Sequence, residues 1–132
     1  MKILLSYNEL KETLKNRFDL PLDFQFESPK TVVLVYVPLN VRLQLTVEDL
    51  RDNIITLAYK GMSLKDNMAL TIAMPVISSK IPSNIIDILP KINKAYVNLK
   101  GIPNADSVLD KLEPEAVEFT PEGMEIKVCV KI

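Results

Sequence analysis

Carboxylates spaced one helical turn apart are the first residues in this 132-residue sequence that could do chemistry. Asp106 and Asp110, with Glu113 following, would place acids along one helix face, an arrangement suited to acid–base work or to holding a cation. A calcium site needs five or more oxygens gathered round one point, and no acidic loop with the required glycine accompanies these three. Cys129 is the only cysteine, and strand alternation puts it beside Lys127 and Lys131 on a polar face, where a thiol could be exposed. The sequence has no histidine, so the common zinc sites and the usual serine or cysteine triads are excluded, and no second cysteine or base supports Cys129 as a nucleophile. Gly61, Gly101 and Gly123 lie too far apart to form a phosphate-cradling loop. The acids are better read as a solvated face, no cofactor is implied, and the chain is not expected to be an enzyme.

What remains is the interior, and one stretch dominates it. Met68–Ile77 contains no charge and a single hydroxyl. Two conformations compete for it. At helical period Leu64, Met68, Ile72 and Val76 form one row and Ala69, Ala73 and Ile77 the next, so the apolar stripe nearly encircles the axis. Ser63 suits the cap position and Asp66 the first turn, whereas Pro75 would delete an interior hydrogen bond. As a strand, Met68, Leu70, Ile72 and Met74 would share one face. Either way the stretch is expected to be buried. At roughly 1.5–3 kcal/mol for each large side chain, its burial would rival the ~5–15 kcal/mol that holds a domain together. On this reading an aspartate at position 72 abolishes soluble expression.

The rest of the chain must supply the cover. Its length suits one domain. With 48% hydrophobic and 25% charged residues it has a globular balance, and Leu, Ile and Val make up most of the apolar share. A net charge of −1 and few aromatic side chains give nucleic acid neither a field nor a stacking platform. Ala105–Glu125 carries seven acids against Lys111, which reads as a solvated face more readily than as a docking surface for a basic partner. One cysteine allows no intrachain disulfide. The first residues fall short of a signal peptide's apolar region, and no run approaches the ~20 residues needed to span a bilayer, so a cytoplasmic location is the default expectation.

Ser6-Tyr7-Asn8-Glu9 fits a capping box and predicts a helix over 7–18, preceded by a short strand. Strands are expected around Phe24 and Phe26, over Thr31–Val37, over Val41–Val47 and around Ile55–Tyr59, the last two pairing as a hairpin through a polar turn at Glu48–Asn53. A short helix is expected over Ser83–Pro90, a strand over Ala95–Leu99, and another small helix from Asn104 or Asp106 to Leu112. Ala116–Phe119, a tight turn at Thr120–Gly123 and the alternating run from Met124 read as strand, turn, strand. The fold class that results is α+β: a curved antiparallel sheet of about six strands packed on a central apolar helix, with further short helices.

This arrangement looks somewhat like the tubular lipid-binding superfamily, in which a strongly curved antiparallel sheet wraps a long apolar helix. The resemblance rests on Val41–Tyr59, Met68–Ile77 and Ala95–Ile132 and is one of shape, without a shared motif. It implies a non-catalytic protein that holds a lipid or another apolar small molecule between sheet and helix. Methionines 62, 68 and 74 add adaptable side chains to such an interior. The candidate contacts are Met68, Leu70, Ile72, Met74, Val76 and Ile77 from the central stretch, with Leu43, Leu45 and Leu57 from the hairpin. The alternative is a protein-interaction or assembly module, a homodimer or a subunit of a complex, with no small-molecule ligand.

Overall fold

The computed structural model describes residues 1–101 and 109–131. It is an α+β structure with two antiparallel sheets. The six-stranded sheet has the order β2-β3-β4-β5-β7-β6, built from β2 (Leu22–Ser28), β3 (Thr31–Tyr36), β4 (Val41–Arg51), β5 (Ile54–Gly61), β6 (Ile86–Leu89) and β7 (Lys94–Asn98). A three-stranded sheet pairs the two ends of the chain: β1 (Lys2–Ser6), β9 (Gly123–Val130) and β8 (Leu112–Phe119) lie in the order β1-β9-β8. Helix α1 (Tyr7–Phe18) leads from β1 towards the large sheet, and α2 (Leu64–Lys80) follows β5.

Local chemistry accounts for most of these boundaries. Ser6 is extended, and its hydroxyl accepts from the N–H of Glu9 at 3.1 Å, as the capping box requires. Asp19 ends α1 in the left-handed conformation, and its own N–H donates to Lys15 C=O at 3.0 Å, the αL form of helix termination. The β4–β5 hairpin is tighter than the expected turn at Glu48–Asn53. Both strands run on to Arg51 and Ile54, and only Asp52 and Asn53 turn, each with positive φ, as a type I′ hairpin demands.

Helix wins over strand for the central stretch. Ser63 caps α2 by accepting from Asp66 N–H at 3.1 Å, and Asp66 in turn accepts from the backbone N–H of Arg42 at 3.2 Å, which fixes the helix start against β4. Gly61 bonds to Asn67 Oδ1 at 2.8 Å, and a Cβ at Gly61 would lie about 2.5 Å from the Asn67 amide nitrogen, so this corner needs glycine. Pro75 is tolerated because it and Thr71, whose carbonyl loses its partner, are exposed to water.

Burial of the whole stretch does not occur. Leu70, Ala73, Met74 and Ile77 are buried, but Met68 and Ile72 are each 65% exposed, and Leu64 and Val76 are exposed with them. The helix lies against one face of the sheet, so only the row that meets Leu22, Leu34, Leu43 and Tyr59 is covered. The short helix expected over Ser83–Pro90 is a strand instead. Ile86 and Ile88 pair with Val97 and Ala95, and β-branched residues between two prolines gain more from a sheet edge than from two helical turns. Asp106 and the start of the small helix expected there lie outside the described residues; Leu109 is buried, and Leu112 already belongs to β8.

Register makes the inner face of the large sheet continuous. Leu34 pairs with Leu43, Val32 with Leu45 and Leu45 with Tyr59; Val47 pairs with Leu57 and Leu57 with Ala95; Ile55 pairs with Val97. Cross-strand partners share a face, so these residues all point the same way. The opposite face carries polar pairs such as Arg42–Gln25 at 2.8 Å and Lys94–Glu48 at 2.6 Å.

Candidate apolar binding site

Two apolar clusters meet on that inner face. One gathers Leu20, Leu22, Leu34, Leu43 and Tyr59 under the inner row of α2. The other gathers Ile55 and Leu99 with Val117, Ile126 and Val128 of the small sheet. The sheets are tied at one corner: Phe119 N–H donates to Pro29 C=O at 2.7 Å, and the Lys30 ammonium donates to Val117 C=O at 3.0 Å. Between the clusters lies a cavity of about 460 Å³.

Its walls come from every layer. The large sheet contributes Val32, Leu34, Leu43, Leu45, Val47, Ile55, Leu57, Tyr59, Ala95 and Val97, and the small sheet Leu5, Val117, Phe119, Met124 and Ile126. Met74 and Ile77 enter from α2, Ile86 and Ile88 from β6, and Leu10, Leu14 and Phe18 from α1. Apart from Glu9, Thr13, Arg17 and the Tyr59 hydroxyl, the lining side chains are hydrocarbon or thioether. Glu9, Thr13 and Arg17 are also the only lining residues that stand well exposed to solvent, so the cavity opens along one edge of α1.

The other edge of α1 is closed. Tyr7 stacks on Phe24 of β2 with ring centroids 5.8 Å apart, and Lys11 pairs with Asp23 at 2.6 Å. The Tyr7 hydroxyl donates to Thr120 C=O at 2.7 Å, which pins the start of the helix to the β8–β9 turn. Burial, aided by the charge of Glu122, pushes the Tyr7 pKa above its usual value. At the far end Lys80 donates to Asp19 C=O at 2.8 Å, linking the ends of the two helices. Helix α1 thus bridges the small sheet and the large one, with no residue fully buried. Its apolar row borders the cavity, with Leu14 and Phe18 also packed against the cluster under α2.

Five of the nine residues singled out from the sequence line this space: Leu43, Leu45, Leu57, Met74 and Ile77. Leu70 is buried beside it, in the cluster under α2, without lining it. Met68, Ile72 and Val76 are on the outer face of α2 and do not reach it. Sequence reasoning passed over Leu10, Leu14 and Phe18 and the inner faces of β1, β8 and β9. Their signal was the same alternation and helical spacing, but the pairing of the two chain ends into a separate sheet is a long-range event that no local pattern announces.

Of the other candidates for chemistry, the Asp106, Asp110 and Glu113 row includes Asp106, which lies outside the described residues. Across from Cys129 stands Glu113, and Glu115 beside it, with partial burial, holds the thiol above its usual pKa, so the nucleophilic thiolate is suppressed. Acids of the 105–125 stretch are interleaved with lysines: Glu125 pairs with Lys2 at 3.2 Å and shares the outer face of the small sheet with Glu118 and Lys127. Among the described residues no three carboxylate or cysteine side chains converge as metal ligands, and no helix is long and apolar enough to cross a membrane.

Neither a family model, nor a curated protein, nor a solved structure matches the chain.

Proposed function

We propose that this protein is a non-catalytic carrier or sensor of an apolar small molecule, held between the large sheet, the small sheet and the two helices. The observation that carries this reading is the cavity: about 460 Å³ of space whose lining offers water almost nothing to bond to. Such a volume falls within the range of small-molecule pockets, about 300–1,000 Å³. Left empty, these apolar walls forgo the dispersion contacts that a filled interior gives them. Water would enter only without hydrogen-bonding partners on the walls. A hydrocarbon guest removes both costs.

Native mass spectrometry of protein purified without detergent tests the proposal. Extra mass of lipid or fatty-acid size, lost after organic extraction and regained on incubation with a long-chain ester, is the expected result. A protein that carries no guest and takes up none would refute it.

A second reading rests on a different observation, the exposed row Leu64, Met68, Ile72 and Val76 on α2. An apolar ladder at helical spacing in water favours self-association or docking to a partner. Under this reading Ile72→Lys converts a defined oligomer to monomer in sedimentation velocity.

A further inference from the structure

The rim of the cavity is graded along α1. Glu9, Thr13 and Arg17 succeed one another at intervals of four residues, about 6 Å apart along the helix axis. An acid therefore stands at one end of the opening, a hydroxyl in the middle and a guanidinium at the other end. Among the described residues Arg17 enters no ion pair: Asp19, two residues on, is with Lys80 at 3.6 Å, and the remaining pairs lie elsewhere. No carboxylate of the described residues therefore competes with a ligand at the mouth for the Arg17 guanidinium.

The chemistry of that arrangement selects a ligand class. A guanidinium matches the two oxygens of a carboxylate, or those of a phosphate or sulfate, in bidentate geometry. Immediately below it the walls are hydrocarbon, from Leu14 and Phe18 of α1 inwards. Glu9 repels an anion at the opposite end and so favours one orientation of the head. A volume of about 460 Å³ lies in the lower half of the usual range for ligand pockets and suits one chain better than two.

From this we infer that the site takes a single-chain anionic amphiphile, its tail in the cavity and its head on Arg17, with the Thr13 hydroxyl as a second donor. The inference rests on the apolar-carrier reading above and adds the identity of the head. A merely structural role for Arg17, as a cation favourable to the last turn of α1, would leave ligand preference unaffected.

The test compares cis-parinaric acid with its methyl ester, two probes with the same tail, by fluorescence enhancement on the full chain; the absence of tryptophan keeps the background low. The acid is expected to bind roughly 3- to 10-fold more tightly than the ester, the range for a charge-assisted contact discounted for its exposure. Arg17→Gln is expected to bring that ratio close to one by weakening the acid far more than the ester, Arg17→Lys to retain part of it, and Glu9→Gln to increase it. Raising salt to 0.5 M should shrink the ratio in the unmodified protein. Equal affinity for acid and ester, or a preference that survives Arg17→Gln, overturns the anionic head and leaves the apolar site standing. Failure of both probes to bind overturns the site itself and the inference with it.

Discussion

Helices α1 and α2 border the same cavity and present opposite balances. Helix α2 is rich in apolar residues on all sides, yet only Leu70, Ala73, Met74 and Ile77 are buried, and its outer row stands in solvent. Helix α1 has a conventional polar face, yet buries no residue completely: Leu10, Leu14 and Phe18 are half-buried at the wall of the cavity, the last two also touching the cluster under α2. The apolar content of a helix therefore does not state its depth. What decides is the surface opposite: a packed sheet face for α2, a cavity for α1. The difference teaches that excess apolar surface on α2 and unfilled apolar surface on α1 are separate features, and each invites its own occupant.

Substitutions can break this contrast. The largest effect is expected at Ala73, which is 0% exposed against the core. Ala73→Asp buries a charge without a partner, and breaking a packed core in this way typically costs several kcal/mol; the variant should be insoluble, and normal expression would show that the inner row is not packed. Ile77→Ala should lower the unfolding free energy by about 2–5 kcal/mol in urea denaturation. Leu14→Ala on α1 should cost less, about 1 kcal/mol, because its side chain is only half-buried against a cavity that can collapse. The same variant should weaken guest binding measurably, which separates a wall residue from a core residue. Ser6→Ala, which removes the cap of α1, should cost a similar ~1 kcal/mol.

The pH dependence sharpens the same picture. Burial raises the pKa of Tyr59, at the centre of the cluster under α2, and of Tyr7, with Glu122 adding to the latter; the hydrogen bond to Glu48 raises Lys94. All three groups hold their protons more tightly in the folded protein than in the unfolded chain. Their contribution is therefore complete below about pH 10 and is lost as pH rises through the elevated values. The urea midpoint should hold steady from pH 8 to about pH 9.5 and fall as pH rises above about 10, and Tyr59→Phe should make that fall smaller. The smallest effect belongs to the outer row: Ile72→Asp should change stability by no more than about 0.5 kcal/mol, where burial of the whole stretch required loss of the fold.

How much of this was legible in the sequence depends on how local the deciding contact is. The start of α1 is written in Ser6 and Glu9 and its stop in Pro21, and the β4–β5 and β8–β9 hairpins in alternation and turn residues, so these were readable. Ser63 and Asp66 favoured a helix over the central stretch, but the sequence left a strand open there, and the packing of Leu70, Ala73, Met74 and Ile77 on the sheet decides it. The depth of that helix was not readable, because an all-round apolar helix is equally consistent with a central position and with a surface position that has a spare apolar row. Ile85–Leu89 misled because a four-residue edge strand and one turn of helix share the same short apolar run, and only pairing with β7 separates them. Of the site, Leu43, Leu45, Leu57, Met74 and Ile77 were identifiable. The rim of α1 and the Phe119, Met124 and Ile126 wall were not, since they arise from the meeting of strands at opposite ends of the chain.

Methionine placement offers the most direct test of the central claim that an apolar guest occupies the space between the sheets. Met74 and Met124 line the cavity, whereas Met62 and Met68 are exposed away from it. Titration of methyl-labelled protein with a long-chain methyl ester should move the Met74 and Met124 methyl resonances, saturating at one guest per chain, while those of Met62 and Met68 stay in place. Shifts confined to Met62 and Met68, or none at all, would contradict it.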